Sequence, residues 1–512
     1  MNLLLLLCVL IYVSKSHDLE DSENCDYGAI FRLTEKGLTY AANTGFPSMW
    51  KEKKWNLSLS IYDVNETVNG VNYFIEKLHL KQNMENDNFK VSVDIDSNPG
   101  CLKVTINDSL AALQGSVLCS DIHTRHEAQH CNITIYIPWY FKVHIGRDTD
   151  GSFNVQMCNV TGESCSILLA NITINYTDCV NPTERLCEKG TEEFKHNFIK
   201  NKLNKTLQLL DVCNRLDKVI DAISKKMKKT DLAPVIQPGF FFKVNLSMSE
   251  KPSYNKSYID TYHKGDVFWH STLEKYPTEC VNFDRDKSTS KMLYLWISKY
   301  GIRNFLKGFQ RHGMLHYMIT AENLNAGHGL NTTCEVGVCV GRLVPSIAEK
   351  YPNCFVDLDW YSLKTPNVTF EKNLAVVKGE IVMFVNIRDP RPSGHTTRIA
   401  KLNGDVTLRL KLYITNGTRI QGTVVAFDPY MKNIDVDPKI TGFDEQTVNF
   451  ILLGAVVVTA EPKLNEFGNK GLCIPISHAK LKNATIHLID NAIVIGSDVE
   501  YGNDTYCTPS FF

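Results

Sequence analysis

Alternation of apolar and polar residues fills two long blocks of this chain. In the first block, residues 57–176, the segment 132–137 places three isoleucines on one face and Asn, Thr and Tyr on the other. In the second block, which begins near Phe355, residues 406–414 alternate in the same way. A period of two residues is typical of strands with one buried face, so both blocks predict antiparallel sheet.

Helices are predicted where apolar residues recur every three or four positions. Five segments show this pattern, at 35–54, 190–227, 298–311, 342–351 and 443–460. Helices therefore flank each strand block, and the order of elements predicts an α+β protein with two halves of similar build. No residue-level repeat accompanies this order, so the inference rests on the elements alone.

The two halves meet at a segment rich in proline and glycine, residues 231–269. Its three prolines disfavour a helix, and an extended run lies between them at 240–248. A chain of 512 residues is also too long for a single core. We therefore predict a first domain at 26–230, a linker and shared-sheet segment at 231–269, and a second domain at 270–512.

The first 16 residues predict a secretory signal peptide. An apolar core at 3–13 is followed by two serines around Lys15, as at a cleavage site. Fifteen Asn-x-Ser/Thr sequons are spread over both halves, and a glycosylated asparagine must face water. Three of them fall on the polar faces of predicted strands: Asn132, Asn171 and Asn175. Together these patterns predict a secreted glycoprotein.

Cysteine content and charge agree with an extracellular protein. Removal of Cys8 with the signal peptide leaves 15 of the 16 cysteines. This odd number predicts disulfides together with at least one unpaired or intermolecular cysteine. The net charge of −1 provides no overall field that would attract nucleic acid. No later apolar run in the sequence has the length of a membrane-spanning helix.

Several segments point together to one family. Residues 30–53 contain KGLTYA, residues 264–268 contain KGDVF, residues 341–352 read GRLVPSIAEKYP, and residues 464–501 contain GLCIPI and IVIGSDVEY. With residues 294–315, they resemble segments of the bactericidal/permeability-increasing and lipopolysaccharide-binding protein family, which includes lipid transfer proteins. The segments follow the family order over nearly the whole mature chain, and this order carries the resemblance.

The resemblance implies an elongated two-barrel protein. Each half would be a twisted antiparallel sheet closed by long amphipathic helices, and a central sheet would join the halves. Each half would hold phospholipid-like acyl chains in an apolar pocket, although the same apolar stripes also fit an ordinary filled core. The residues expected to contact lipid are Leu38, Ala41, Leu203, Leu207, Leu210, Leu216, Phe305, Phe309, Ile347 and Phe450.

The implied function is that of a secreted lipid-binding protein, in one form a lipid transfer protein, without enzymatic activity, cofactor or metal. The expected partner is a phospholipid or another two-chain lipid. Recognition of bacterial lipopolysaccharide in innate defence is the alternative within the family, and an anionic membrane surface is a further expected partner. The resemblance also implies a disulfide between Cys165, beside a strand, and Cys213, on the long helix.

Family members that bind lipopolysaccharide carry a cluster of basic residues at the tip of the first barrel. This chain has fewer basic residues in the corresponding segments. The expected patch consists of Lys51, Lys53, Lys54, His123, Arg125, His126 and His130. Asp121 and Glu127 dilute its charge, which weakens the case for lipopolysaccharide but not for lipid. Because histidine titrates near pH ~6.5, we expect this patch to bind anionic lipid better at mildly acidic pH.

One motif points to a different class of protein. Residues 126–130 read HEAQH, the pattern with which zinc peptidases place two histidines and a glutamate on one helix face. In that alternative His126 and His130 would bind zinc and Glu127 would act as the base. A polar hairpin tip closed by a Cys119–Cys131 bond is the competing interpretation, because an alternating strand starts directly after the motif.

Overall fold

The described residues of the computed structural model form a mixed α+β fold with many antiparallel sheets, which confirms the expected fold class at this level. They are residues 27–53, 60–82, 90–98, 100–106, 111–123, 128–158, 164–168, 171–180, 186–188, 190–198, 202, 212–228, 242–269, 272–273, 287–322, 329–371, 373–391, 394–415, 417, 419–455, 458, 460–474 and 479–501.

Eight helices occur in this part of the chain. They are α1 (Glu35–Lys53), α2 (Thr191–Phe198), α3 (Val212–Lys228), α4 (Lys299–Arg311), α5 (Val340–Leu343), α6 (Pro345–Lys350), α7 (Glu445–Ala455) and α8 (Glu461–Lys470). The long helix predicted at 190–227 is represented by α2 and α3 at its two ends. None of the helices in the described residues is long and apolar enough to cross a membrane.

The strands are numbered in chain order. They are β1 (Ala29–Thr34), β2 (Ser60–Val68), β3 (Val71–Gln82), β4 (Val91–Asp96), β5 (Cys101–Ile106), β6 (Ala111–Asp121), β7 (Gln129–Tyr136), β8 (Trp139–Arg147), β9 (Phe153–Met157), β10 (Cys165–Ile167), β11 (Thr173–Thr177), β12 (Phe242–Asn245), β13 (Ser253–Asn255), β14 (Tyr258–His263), β15 (Asp266–Trp269), β16 (Thr272–Leu273), β17 (Leu293–Ser298), β18 (His316–Ile319), β19 (Phe355–Ser362), β20 (Asn367–Glu371), β21 (Leu374–Arg388), β22 (Thr396–Thr415), β23 (Arg419–Val436), β24 (Leu472–Cys473), β25 (Ala479–Ile489) and β26 (Ala492–Tyr501).

These strands form five sheets. Two use the first strand block, in the orders β11–β7–β6–β3–β2 and β10–β8–β5–β4, with β9 beside β8. The largest uses the second block, in the order β18–β19–β21–β22–β23–β24, with β20 beside β21. A small sheet has the order β12–β15–β16, and the last has the order β13–β14–β1–β17–β26–β25. No sheet of the described residues closes on itself, so the two closed barrels stay a prediction.

The chain divides into two compact units. The described part of the first unit comprises residues 33–228 and 251–260, and that of the second comprises 27–32, 242–250 and 261–501. In the first unit, Tyr73 of β3 stacks on Phe194 of α2 with ring centroids 4.4 Å apart. In the second unit, the core includes Leu402 and Met431, both completely buried.

Helices in both units lie along strands that have a free edge. In the first unit, Asn43 of α1 accepts a hydrogen bond from the Val91 amide and donates one to the Val91 carbonyl, both at 2.7 Å. In the second, Asn449 of α7 accepts from the Met431 amide at 2.9 Å and donates to its carbonyl at 3.1 Å. The side-chain amides of the two asparagines thus make the hydrogen bonds that a neighbouring strand would make. They protect the strand edges, because an unpaired edge can pair with another chain.

The junctions that lead into α1 and α4 share a residue-level pattern. Thr34 Oγ1 accepts from the Gly37 amide at 3.3 Å, and Ser298 Oγ accepts from the Gly301 amide at 3.1 Å. Both are N-caps, which satisfy one of the free amides in a first helical turn. The Thr/Ser-x-x-Gly spacing is therefore a local repeat between the halves, which the order of elements alone did not reveal.

The same junctions also contact equivalent hairpin turns. The amide of Glu35, the first residue of α1, donates to the Ser257 carbonyl just before β14 at 2.9 Å. The amide of Lys299, the first residue of α4, donates to the Asn491 carbonyl just before β26 at 2.7 Å. This correspondence supports two halves of similar build with contacts that the sequence comparison could not supply.

The disulfides correct one prediction from the sequence. The bonds in the described residues are Cys101–Cys158, Cys119–Cys187, Cys131–Cys179, Cys165–Cys213 and Cys334–Cys339. The Cys119–Cys131 bond proposed to close the hairpin tip is wrong. In the β6–β7 ladder Cys119 lies opposite Gln129 and Cys131 lies opposite Val117, so the two cysteines are two positions out of register. The Cys165–Cys213 pair implied by the family resemblance is present.

The helix predicted at 443–460 is followed by a helix that was not predicted. The structure has α7 at Glu445–Ala455, residues 458 and 460 are also helical, and α8 begins at Glu461, directly after the predicted end. Pro462 lies in the first turn of α8, where its missing amide hydrogen costs nothing because that amide has no helical partner. Pro462 is therefore compatible with the first turn of α8.

Candidate functional site

The second unit contains a cavity of about 560 Å³ between α8 and one face of the largest sheet. Its lining comes from the end of α4, strands β18, β19, β21, β22 and β23, and helix α8. Apolar and aromatic side chains make up most of this lining. A volume of this size falls within the range of roughly 300–1,000 Å³ that is typical of ligand pockets.

The floor of the cavity is a patch of sheet whose residues lie opposite one another. Leu408 of β22 lies opposite Val377 of β21 on one side and Phe427 of β23 on the other. Two residues before Leu408 in β22, on the same face of the sheet, Val406 lies opposite Gly379. Because side chains on neighbouring strands in register point to the same face, these residues form one continuous apolar surface.

Gly379 is the one glycine in this floor and leaves room above the sheet. A Cβ atom added there would lie 3.6 Å from both Pro366 and Val406, which is ordinary van der Waals contact. A methyl group therefore fits at this position, whereas a larger side chain would extend into the cavity. The glycine contributes open space and not an unusual backbone conformation.

Helix α8 forms the opposite wall. Leu464 and Phe467 line the cavity, and Phe467 is 42% exposed at its edge. Asn465, on the neighbouring side of the helix, accepts a hydrogen bond from the Val424 amide of β23 at 2.7 Å. Gly468 lies so close to Gly422 that any side chain would collide with the Gly422 carbonyl. These contacts hold α8 against β23 and fix the width of the cavity.

Charged groups lie on the α8 side of the cavity. Lys463, Glu466 and Lys470 all belong to its lining. Lys470 Nζ lies 3.1 Å from Glu466 Oε1, and this hydrogen bond holds the pKa of the Glu466 carboxyl below its usual range. The three groups carry one net positive charge at neutral pH, so this rim is polar and weakly cationic.

A second polar group lies at the β18–β19 side. His316 Nε2 is 2.6 Å from Asp359 Oδ1, and the Tyr361 hydroxyl donates to Asp359 Oδ2 at 2.9 Å. The rings of His316 and Tyr361 stack with centroids 4.3 Å apart, and both line the cavity. The hydrogen bond to Asp359 raises the pKa of Tyr361. Tyr361 therefore remains a neutral phenol in the physiological range.

Among the residues that the sequence assigned to lipid contact in the second half, Phe309 lines this cavity. Phe305 lies beside it, with ring centroids 4.3 Å apart. Ile347 is completely buried in the packed core of the unit, and Phe450 is 62% exposed on α7. Ile347 and Phe450 are not among the cavity-lining residues. The cavity wall that the sequence missed is α8.

In the first half, the expected lipid contacts are placed only in part. Leu38 and Ala41 of α1 and Leu216 of α3 are buried. Their burial fits a packed helix face and also the wall of a pocket. Leu203, Leu207 and Leu210 lie outside the described residues. An acyl-chain pocket in the first half therefore stays a prediction.

Comparison with known proteins adds the family. A profile described as "LBP / BPI / CETP family, C-terminal domain" matches residues 240–501, more than half of the chain. The chain belongs to this family. A bactericidal permeability-increasing protein of Sebastes schlegelii is 20% identical over 93% of this chain and 95% of its own length. The lipopolysaccharide-binding protein of Homo sapiens is 21% identical over 93% and 94%.

Two further matches show how much of the chain is similar to other proteins. Cholesteryl ester transfer protein of Homo sapiens is 25% identical over 36% of each chain. A crystal structure of lipopolysaccharide binding protein matches with a TM-score of 0.53 and 17% identity, and covers 94% of this chain and all of that one. At this identity the structural match supports the shared fold alone.

Only part of the basic patch expected at the tip of the first half lies in the described residues. His123 and His130 are exposed, and His123 lies beside the turn at Gly70. The side chains of Lys51 and Lys53, and residues Lys54, Arg125 and His126, lie outside the described residues. The patch and its pH response therefore stay predictions.

The zinc-peptidase alternative gains no support from the structure. His130 belongs to strand β7, where it lies opposite Leu118, while His126 and Glu127 lie outside the described residues. Within the described residues no group of three His, Cys, Asp or Glu side chains could hold a metal ion. The relatives that match are named as binding and transfer proteins.

The three predicted glycosylation sites differ from one other sequon in exposure. Asn132, Asn171 and Asn175 are exposed on or beside β7 and β11. Asn245, also within a sequon, is 4% exposed, and its side chain accepts from the Ser247 amide. A glycan at Asn245 would require the local fold to open, so we expect that sequon to stay unmodified.

Proposed function

We propose that the protein binds a lipid whose acyl chains lie in the second-unit cavity between α8 and the sheet. The observation that carries this proposal is the continuous apolar floor of Val377, Leu408 and Phe427 under the apolar side of α8. Each methylene group moved from water into such a site gains about 0.8 kcal/mol. A long acyl chain therefore gains the most binding free energy from this surface.

The polar rim agrees with a two-chain lipid that keeps its headgroup near water. Lys463 and Lys470 lie on the α8 side of the cavity and can contact a phosphate, while Glu466 limits the net charge. A neutral or zwitterionic phospholipid fits this balance better than a highly charged ligand. The membership of the LBP / BPI / CETP family supports lipid as the ligand class.

Lipid extraction and uptake test this function. Mass spectrometry of organic extracts of the purified protein should detect a two-chain lipid in stoichiometric amount. Gly379→Phe should reduce uptake of fluorescent phospholipid from vesicles about tenfold, because the ring occupies space above the floor. Gly379→Ala is the matched control, since its methyl group makes only ordinary contacts. Absence of lipid from the extract and equal uptake by both variants would contradict the proposal.

Lipopolysaccharide is a second candidate ligand. Relatives named lipopolysaccharide-binding protein align over 93% of this chain, and lipopolysaccharide combines acyl chains with phosphate groups. A competition experiment separates the two ligands. If lipopolysaccharide is the preferred ligand, it should displace a bound fluorescent phospholipid at a lower concentration than unlabelled phospholipid does.

We infer that the protein acts outside the cell, as a carrier or transfer protein without enzymatic activity. The five disulfides of the described residues and the exposed sequons support this location. Expression in cultured animal cells should yield glycosylated protein in the medium, with an N-terminus after residue 16. Retention inside the cell with an intact N-terminus would contradict this inference.

A further inference from the structure

A second cavity, of about 450 Å³, lies in the first unit and has the opposite character. Its floor is the outer face of the β8–β9 ladder, where His144 lies opposite Gln156 and Gly146 lies opposite Asn154. The other face of this ladder carries buried apolar residues. Because side chains alternate along a strand, the cavity lies on the polar face and not in the core.

The cavity has a fixed wall. The Tyr254 hydroxyl accepts from the Ile145 amide and donates to the Ile145 carbonyl, both at 2.8 Å. Burial raises the pKa of Tyr254, so the phenol stays neutral and both bonds persist. The ring of Tyr254 also stacks on that of His144, with centroids 5.7 Å apart. Two hydrogen bonds and one ring contact therefore hold this wall against β8.

The imidazole of His144 is oriented by its surroundings. Its Nδ1 lies 2.7 Å from the Gly100 carbonyl oxygen. Since a carbonyl oxygen only accepts, Nδ1 carries a proton and the other ring nitrogen, Nε2, lies next to Gly146 in the cavity. Gly100 has a φ of +86°, which favours glycine, and a Cβ there would lie 3.2 Å from the Tyr254 ring. The Cys101–Cys158 bond ties the start of β5 to the end of β9 beside the cavity.

The charges that line this cavity have one sign. Of its ten lining residues, Arg147 and Lys251 are cationic and none is acidic. In the adjoining turn, Asp150 accepts the Ser152 amide at 2.8 Å. Arginine and lysine together with neutral amide groups are the typical partners of a phosphate ester.

We propose that this cavity binds the phosphate ester of a small polyol. Arg147 and Lys251 would contact the phosphate. The Gln156 side chain and the amide nitrogen of Asn154, whose Oδ1 already accepts from Ser224 Oγ at 3.2 Å, would bind hydroxyl groups of the polyol. The volume of about 450 Å³ exceeds what a phosphate group alone needs, so the ligand carries further polar atoms. Such a group occurs free, as in glycerol phosphate, and as the headgroup of phosphatidylglycerol. This site is separate from the second-unit cavity and does not depend on its function.

Binding measurements with both sources test the proposal. Calorimetry with sn-glycerol 3-phosphate tests the free ester, and flotation with vesicles that contain phosphatidylglycerol tests the headgroup. Arg147→Gln together with Lys251→Gln should weaken binding about tenfold or more, because charge-assisted contacts to phosphate are lost. Lys218→Gln together with Lys225→Gln is the matched control, since both lysines are exposed on α3 and neither lines the cavity.

A second variant tests the cavity itself and not only its charge. Gly146→Leu would fill the floor next to His144 Nε2, where even a Cβ lies at 3.1 Å. It should abolish binding, and the melting temperature of the variant shows whether the fold is retained. Binding of the soluble ester supports a free ligand, and binding of vesicles alone supports a headgroup. Failure of both, or binding that survives both the charge variant and Gly146→Leu, would overturn the proposal.

Discussion

The two units of the molecule protect strand edges by the same means but stabilise their sheets differently. Asn43 and Asn449 make matching bonds: each donates to the carbonyl four residues earlier and pairs with both backbone groups of one edge residue. The covalent links differ, because four of the five disulfides in the described residues lie in the first unit and one, Cys334–Cys339, in the second.

Strand length also differs between the two units. In the second unit β22 has 20 residues and β23 has 18, and they pair along nearly their whole length. The longest strand of the first block, β3, has 12 residues. Long ladders bring many backbone hydrogen bonds and side-chain contacts into one cooperative sheet, whereas shorter strands gain more from links that restrict the unfolded chain.

The cavities of the two units also differ in character. The second-unit cavity lies on an apolar sheet face under α8, and the first-unit cavity lies on a polar face beside Tyr254. An apolar floor under the apolar side of α8 suits a ligand that binds by burying apolar surface. A wall tied by hydrogen bonds to Ile145 suits recognition of a small polar group.

Removal of the Cys165–Cys213 bond should give the largest effect and should be confined to the first unit. Loop entropy predicts a loss of about 4 kcal/mol in unfolding free energy for its separation of 48 residues. The matched control, loss of Cys334–Cys339 with a separation of 5, should cost about 2 kcal/mol. Hydrogen exchange, read separately for β7 and β22 in the double alanine variants, checks this. Equal losses in both units would contradict the comparison.

Acid should weaken the second unit through His263. Burial lowers the pKa of this completely buried imidazole to about 4, and its Nδ1 donates to the Leu246 carbonyl at 2.5 Å. In the unfolded chain histidine titrates near ~6.5. The stabilising contribution of the neutral ring is therefore complete above about pH 6.5 and is lost as the pH falls towards 4, by about 3 kcal/mol in all.

The substitution His263→Gln should remove most of that pH dependence, because glutamine keeps hydrogen bonding without titrating. His79→Gln serves as the control, since His79 is exposed in the first unit. Urea unfolding at pH 7 and pH 4.5 checks the prediction. The idea fails if His263→Gln loses as much stability on acidification as the unchanged protein does.

The edge asparagines should give the smallest effect and should make the two units behave alike. Asn43→Ala and Asn449→Ala each leave one amide and one carbonyl of an edge strand without a protein partner. We expect a loss of about 1–3 kcal/mol for each, in its own unit. Thr44→Ala and Gln446→Ala are neighbouring controls with small expected losses. If one substitution lowered the unfolding free energy and the other did not, the similar hydrogen bonds at the two strand edges would not stabilise the two units alike.

Local patterns predicted the elements well where one period dominated. The alternation at 132–137 and 406–414 corresponds to β7 and β22, and the helices predicted to start at 35 and 298 correspond to α1 and α4. The local repeat of Thr/Ser-x-x-Gly was present in the sequence. Four positions are too few to stand out over 512 residues until the contacts at Ser257 and Asn491 show that the two junctions are equivalent.

The cavity itself could not be predicted in the same way. Its floor depends on the register that places Val377, Leu408 and Phe427 in one row, and register is set by long-range pairing. The apolar stripes alone could not separate Phe309, which lines the cavity, from Ile347, which lies in the packed core. Helix α8 was missed because the prediction ended the helix with the apolar run at Ala460, although Pro462 is compatible with a first helical turn.

Photo-cross-linking is the most direct test of acyl-chain binding in the second-unit cavity. The protein would be loaded with a phospholipid that carries a diazirine in one acyl chain, irradiated, digested and mapped by mass spectrometry. The account predicts cross-links to β21, β22 and α8, at or next to Val377, Val406 and Leu464, and their loss in Gly379→Phe but not in Gly379→Ala. Cross-links confined to other parts of the chain, or unchanged in Gly379→Phe, would contradict it.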